Sequence, residues 1–283
     1  MGVGHIVKRF LLVVGLLAGS AAAVHADAAA VPFSVGEKLT YQAYWGPFPV
    51  GRASLEVRNI EPMNGHDCYH LVAVAWTTGL GQLLFPVRNT IESWLDVEGL
   101  FSRKYKESRR EGDGRHDDEI NYDYQHRQAV IRNVSKGTEK TVLLERPVQD
   151  IISSVYYVRA QPLLLDAEQV FLLNVGVSNL NVSITADQRS TISVGPVGRI
   201  EALRLEPKPT LKIIAHNKGR MWFWIGDNDR RLPLQVVSQM PIGSARLVLN
   251  KIEMVDVAPV VALAAQPTNA SRNATPLRAA DKD

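Results

Sequence analysis

One cysteine, Cys68, stands in 283 residues, so no internal disulfide can form and the fold has to be held by its core. Aromatic residues make up only 7%, and neither sign of charge dominates, with 32 Lys and Arg against 29 Asp and Glu. No apolar run reaches the roughly 20 residues that a bilayer-spanning helix needs. The longest, Phe10 to Ala23, has 14. A Gly-rich phosphate loop and a G-x-S-x-G nucleophile turn are also missing, which removes sequence support for nucleotide-driven chemistry and for a serine hydrolase. With no catalytic set and no cofactor motif, the chain reads as a non-enzymatic protein.

The two ends differ from the middle. In residues 1–26, Lys8 and Arg9 precede the apolar run and Val24-His25-Ala26 offers a small-x-small cleavage site. This is the pattern of a secretory signal cut near Ala26, with the product released to the periplasm and no stable membrane span. No Cys lies near that site to take a lipid. Residues 258–283 lack aromatics and mix Ala, Pro, Asn and Thr, a composition expected to stay disordered because it buries too little apolar surface to offset ordering entropy. Removing Lys8, Arg9, Arg272, Arg278, Lys282, Asp281 and Asp283 leaves 27 basic and 27 acidic residues in the domain expected at 27–257. A formally neutral domain argues against nucleic acid as a partner and against strong attraction to an anionic membrane.

Alternation with period two dominates that domain. Leu39, Tyr41, Ala43 and Trp45 share one face of Glu37 to Trp45, and Ala53, Leu55 and Val57 continue the pattern after Gly46-Pro47, predicting a hairpin. Further strands are expected at Cys68 to Trp76, Val87 to Leu95, Phe101 to Glu111, His116 to Tyr124, Ala129 to Asn133 and Thr141 to Leu144. One short helix follows, capped by Asp150 and stopped by Pro162. Strands resume at Gln169 to Val175, Leu180 to Thr185, Arg189 to Val194, Gly198 to Leu205, Arg220 to Ile225, Leu234 to Ser238 and Ala245 to Met254. The expected fold is mainly β, a single domain in which antiparallel meanders form curved half-barrel-like sheets around one short helix.

Four ordered segments carry a resemblance: GEKLTYQAYWGPFPVGRASLEV from Gly36, DIISSVYYVRAQPL from Asp150, GPVGRIEALRLEP from Gly195 and GRMWFWIGDNDRRLPLQV from Gly219. Together they resemble the bacterial envelope family known as domain of unknown function 3108, across residues 33–254. The resemblance implies a secreted or periplasmic location, mostly antiparallel β structure and no catalytic set. The architecture it implies is similar to the curved half-barrels of periplasmic lipoprotein-localisation carriers, which hold acyl chains between a sheet and short helices.

Several clusters invite a functional reading. His66, Cys68 and His70 share one strand face, but the spacing of about 7 Å along a strand suits a single metal poorly, so no metal site is expected there. Asp227-Asn228-Asp229 lacks the Gly and the distant Glu of a calcium loop and reads as a turn. Arg103 to Glu119 carries seven basic side chains, His116 included, and six acidic ones around Gly112-Asp113-Gly114. It is expected to be a solvated hairpin guarding a sheet edge or a protein-docking surface. Trp45, Phe48, Trp76, Leu80, Leu84, Phe85 and Trp94 cluster in the first meander, where Gly79 and Gly81 could hinge an apolar lid. The same residues would also serve as plain core. The expected function is binding of a hydrophobic or lipid-like ligand in a concave apolar groove lined by those seven. The alternative is a protein-interaction module in cell-envelope or surface-polymer assembly.

Overall fold

Why the strands fall where they do follows from the pattern above, and the register shows what the pattern builds. The computed structural model describes residues 31–209, 220–240 and 243–256; the expected signal 1–26 and tail 258–283 lie outside the described residues. The first meander comprises β1 (Glu37–Trp45), β2 (Phe48–Met63), β3 (His66–Thr77), β4 (Arg88–Asp96), β5 (Ser102–Glu111), β6 (Gly114–Asp123), β7 (Gln128–Asn133) and β8 (Thr138–Leu143). A five-residue helix, α1 (Leu80–Leu84), interrupts it between β3 and β4. Then come α2 (Ile151–Ala160) and the second meander, β9 (Glu168–Val175), β10 (Ser178–Ser193), β11 (Arg199–Pro209), β12 (Arg220–Gly226), β13 (Pro233–Met240) and β14 (Gly243–Met254).

The two meanders are one sheet. β14 pairs antiparallel with β1, Glu37 opposite Met254 and Trp45 opposite Ala245. All 14 strands therefore form a single antiparallel sheet running from β8 through β1 and β14 to β9. The sheet is not closed. Its edges approach through the chain before α2: the Gln149 amide donates to Leu172 at 2.7 Å and its carbonyl accepts from Asn174 at 2.8 Å.

Two elements differ from expectation. Leu180 to Thr185 and Arg189 to Ser193 are parts of one strand, β10, with a register shift between Ala186 and Gln188, and Val194 lies just past its end. A bulge adds one residue to one strand and resets the alternation, so the sequence pattern looks broken where the ladder continues. The segment at Leu80 is helical, but five residues are too few to display a 3.6-residue period.

α2 forms where the cap predicts. The Asp150 carboxylate accepts from the Ile152 and Ser153 amides, both at 2.8 Å, and the Ser153 hydroxyl accepts from the Asp150 amide at 2.7 Å, completing a capping box. Its other oxygen accepts from Ser93 at 2.6 Å and Ser102 at 2.5 Å, which fastens the helix start to β4 and β5. Burial pushes the Asp150 pKa above the usual carboxylate value, and these four hydrogen bonds oppose that shift.

At the other end of α2, Arg159 is fully buried. Its guanidinium donates to both Glu37 oxygens, at 2.7 and 3.1 Å, and to the carbonyls of Pro32, Arg230 and Arg231. The helix end is thereby tied to the start of β1 and to the β12–β13 turn. Between these anchors Val158 packs with Phe171, Leu180, Val182 and Leu205, while Val148 and Leu172 join Tyr105, Ile120 and Tyr122.

Replacing one member of a buried ion pair leaves the other charge uncompensated, at a cost of about 3–5 kcal/mol. Glu37→Gln is therefore expected to lower urea-unfolding stability by about that amount; a loss below about 1 kcal/mol, the range of exposed pairs, would contradict this role.

Candidate functional site

The inner face of β1 to β4 alternates large and small side chains. Leu39 and Tyr41 of β1 point inward, and the register carries the same face through Leu55 and Ala73 to Ile91, and through Ala53 and Ala75 to Asn89. Ala53 stands directly opposite Ala75. Protein interiors are close-packed, so three alanines where strands commonly carry Val or Ile leave space unless a neighbour fills it. None does. A partly open cavity of about 240 Å³ lies there, walled by Tyr41, Ala53, Ala73, Ala75 and Ile91 on one side and by Phe223, Val236 and Leu247 on the other. Ile151, Ile152 and Val155 of α2 border it too, so the anchored helix forms its floor. The hydroxyl of one lining residue, Tyr41, donates to the Pro233 carbonyl at 2.8 Å.

A polar wall continues the same face. Ile91 stands opposite Glu107, Glu107 opposite Asp118, Arg109 opposite His116 and Asp118 opposite Asn133. Asn89, at the cavity wall, donates to Glu111 at 2.7 Å and accepts from the Arg110 amide at 3.0 Å. His116 Nε2 meets Asp118 at 2.5 Å, and Asn133 donates to Asp118 at 2.8 Å. Arg109 lies 3.5 Å from Glu107, and its Nε is buried without a hydrogen-bond partner. Beneath this wall, burial raises the Tyr105 pKa, with Glu107 adding to the effect.

A His–Asp pair beside a cavity has the parts of a general base, but its surroundings do not complete one. The second ring nitrogen of His116 lies 3.4 Å from the Asn133 amide nitrogen, and the nearby serine Ser135 bonds Asp117 on the opposite sheet face. Among the described residues no nucleophile is hydrogen-bonded to His116.

The charged hairpin expected to guard an edge is therefore placed differently. β5 and β6 are interior strands, paired on both sides, and every second side chain turns onto the concave face. That arrangement is hard to read from sequence, because charges occupy both faces and the period-two signal cancels.

None of the seven side chains expected to line a groove is among those that wall this cavity. Phe48, Leu80, Leu84 and Phe85 are exposed at one end of the sheet. Trp45 packs against Gly243. Trp76 lies between Arg52 and Arg88. Trp94 stacks on His70 at 4.7 Å, and its indole donates to Glu61 at 2.5 Å. The cavity residues that were not anticipated carry one legible signal, the run of inward alanines at 53, 73 and 75. The Asp227 to Asp229 segment is a turn, as its chemistry predicts: Asn228 accepts from the Arg230 and Arg231 amides.

Among the described residues no group of three His, Cys, Asp or Glu side chains is placed to hold a metal ion. Cys68 is fully buried, and burial pushes its thiol up to about 12, which leaves almost no thiolate at neutral pH. In the native protein at about pH 8 it is expected to resist Ellman's reagent and to react fully only after denaturation; rapid reaction of the folded chain would contradict this burial.

No curated protein matches the sequence. Among solved structures, a β-barrel-like protein of domain of unknown function DUF1849 from Brucella abortus is similar over 78% of this chain and 98% of its own, with 10% identity and a TM-score of 0.51. A protein described as exported, with a YmcC-like fold, from Bacteroides fragilis matches over 78% and 97% with 9% identity and a TM-score of 0.30. At such identities the Brucella likeness concerns the fold alone. Residues 40–250 match the model of the family described as protein of unknown function DUF3108. With that match spanning most of the sheet and the helix that floors its cavity, the chain belongs to the DUF3108 family.

Proposed function

We propose that the protein is a non-enzymatic component of the bacterial envelope that holds one apolar, lipid-like group in the cavity above α2. The observation that carries this reading is the apolar cavity itself, about 240 Å³ between the inward alanines and Phe223, Val236 and Leu247. An apolar cavity of roughly 150 Å³ already accepts a benzene-sized guest and stays dry without one. The space here suits one slender chain or ring. The polar wall beside it supports an amphipathic ligand, whose polar end meets Arg109 and Asn89 while its apolar part lies along Leu55 and Ile91. The expected N-terminal signal supports a periplasmic setting for this reading, where a lipid has to be shielded from water to move between membranes.

Native mass spectrometry of the full-length gene product, purified from the periplasm of an expressing bacterium, tests this. The wild type is expected to carry a co-purified lipid mass. Ala75→Trp fills the cavity and is expected to lose it, with unfolding stability lowered by no more than about 1–3 kcal/mol; Ala53→Phe provides a second blocking variant. A wild-type protein without adduct after incubation with envelope lipid extract, or adduct retained in both folded variants, would refute the reading.

A further inference from the structure

The end of the sheet that carries α1 exposes five large apolar side chains together. Phe48 is 63% exposed, Leu80 68%, Leu83 79%, Leu84 80% and Phe85 56%. Single exposed hydrophobics are ordinary, whereas a contiguous group marks an interaction site. These five are contiguous by construction. α1 lies on β2 just past Phe48, with the Thr78 amide donating to the Val50 carbonyl at 3.0 Å. The approach is so close that a Cβ on Gly81 would fall 2.1 Å from that carbonyl oxygen. Phe85 reaches the β5–β6 turn, where the Gly112 amide donates to Pro86 at 2.8 Å.

Beneath this tip the outer face carries a row of arginines. Arg52 stands opposite Trp76, Trp76 opposite Arg88, and Arg110 opposite Arg115 on the adjoining hairpin. Arg110 is engaged by Asp117 at 2.9 Å. Arg52, Arg88 and Arg115 are exposed, and among the described residues none of them has a carboxylate partner. Asp113 in the hairpin turn is the exposed acidic side chain closest in sequence to this row. Arg110 and Arg115 stand directly across the ladder, and Asp117 compensates the first while the second is left to solvent. An apolar tip, backed by one row in which an amphipathic Trp stands among unpaired cations, matches the acyl boundary and the phosphate-bearing interface of an anionic bilayer surface.

We infer that this tip docks on an anionic phospholipid membrane, with Leu80, Leu83, Leu84, Phe85 and Phe48 entering the acyl boundary and Arg52, Arg88 and Arg115 meeting lipid phosphates. A protein partner fits the tip less well, since five side chains are few beside the roughly 20–30 residues a side of a stable interface. The inference stands on the tip alone and does not require the cavity to hold ligand.

The test is co-flotation of the full chain with vesicles containing phosphatidylglycerol, set against vesicles of phosphatidylcholine only. Wild type is expected to float with the anionic vesicles, and raised salt is expected to weaken that binding. The double substitution Leu83→Ser with Leu84→Ser, at exposed positions that leave the fold intact by circular dichroism, is expected to reduce binding about tenfold or more. Arg52→Glu with Arg88→Glu is expected to remove the preference for anionic vesicles. Failure of wild type to float with anionic vesicles overturns the inference, as does binding unchanged in both double variants. Self-association of wild type that Leu83→Ser with Leu84→Ser abolishes, without any flotation, would assign the tip to a second copy of the chain instead.

Discussion

The ion pair between Arg159 and Glu37 is the constraint on which the rest of the structure depends. A ten-residue helix is marginal alone, and this one is held by packing on β3, β4 and β9 and by an anchor at each end. Asp150 holds its start against Ser93 and Ser102; Arg159 holds its end against β1 and the β12–β13 turn. Burying two charges costs several kcal/mol each in desolvation. Here that cost is offset because the guanidinium's donors reach a carboxylate in a two-pronged grip and three carbonyls besides. Lysine, with a point charge, has no equivalent geometry. Because the helix is fixed at both ends, Ile151, Ile152 and Val155 stay at the base of the cavity instead of collapsing into it.

The cavity itself represents stability forgone. Filling Ala53, Ala73 and Ala75 with larger aliphatic residues would add buried apolar contact at about 25 cal/mol per Å². Their small size keeps a void beside a polar wall whose charges are mutually satisfied apart from the Arg109 Nε. Apolar space next to an oriented polar face is a general form of ligand site, and it arises from one face of a meander whose strands pair in sequence order from β1 to β7.

Much of this was legible in the sequence. Period-two alternation located nearly every strand, and Asp150 with Pro162 bounded α2. What local patterns do not contain is long-range pairing: nothing near Glu37 or Met254 says that β1 and β14 join, so two meanders read as two sheets. The bulge in β10 hid its continuity for a similar reason. Residues chosen for the groove were large and apolar, yet a cavity is made by small residues, and large exposed ones such as Leu83 and Phe85 mark the outer end. Charge was misleading in another way. A domain total of 27 against 27 hides the arginine row of Arg52, Arg88 and Arg115, which only the cross-strand register brings together.

The most direct measurement is photo-crosslinking with a monomeric lipid whose acyl chain bears a diazirine, used without vesicles and mapped by peptide mass spectrometry. Adducts on Leu55, Ile91, Val155 and Leu247 are the predicted result, since those side chains border the cavity. Adducts confined to Phe48 and the Leu80 to Phe85 tip, with the cavity residues unlabelled, would contradict a ligand chamber floored by α2.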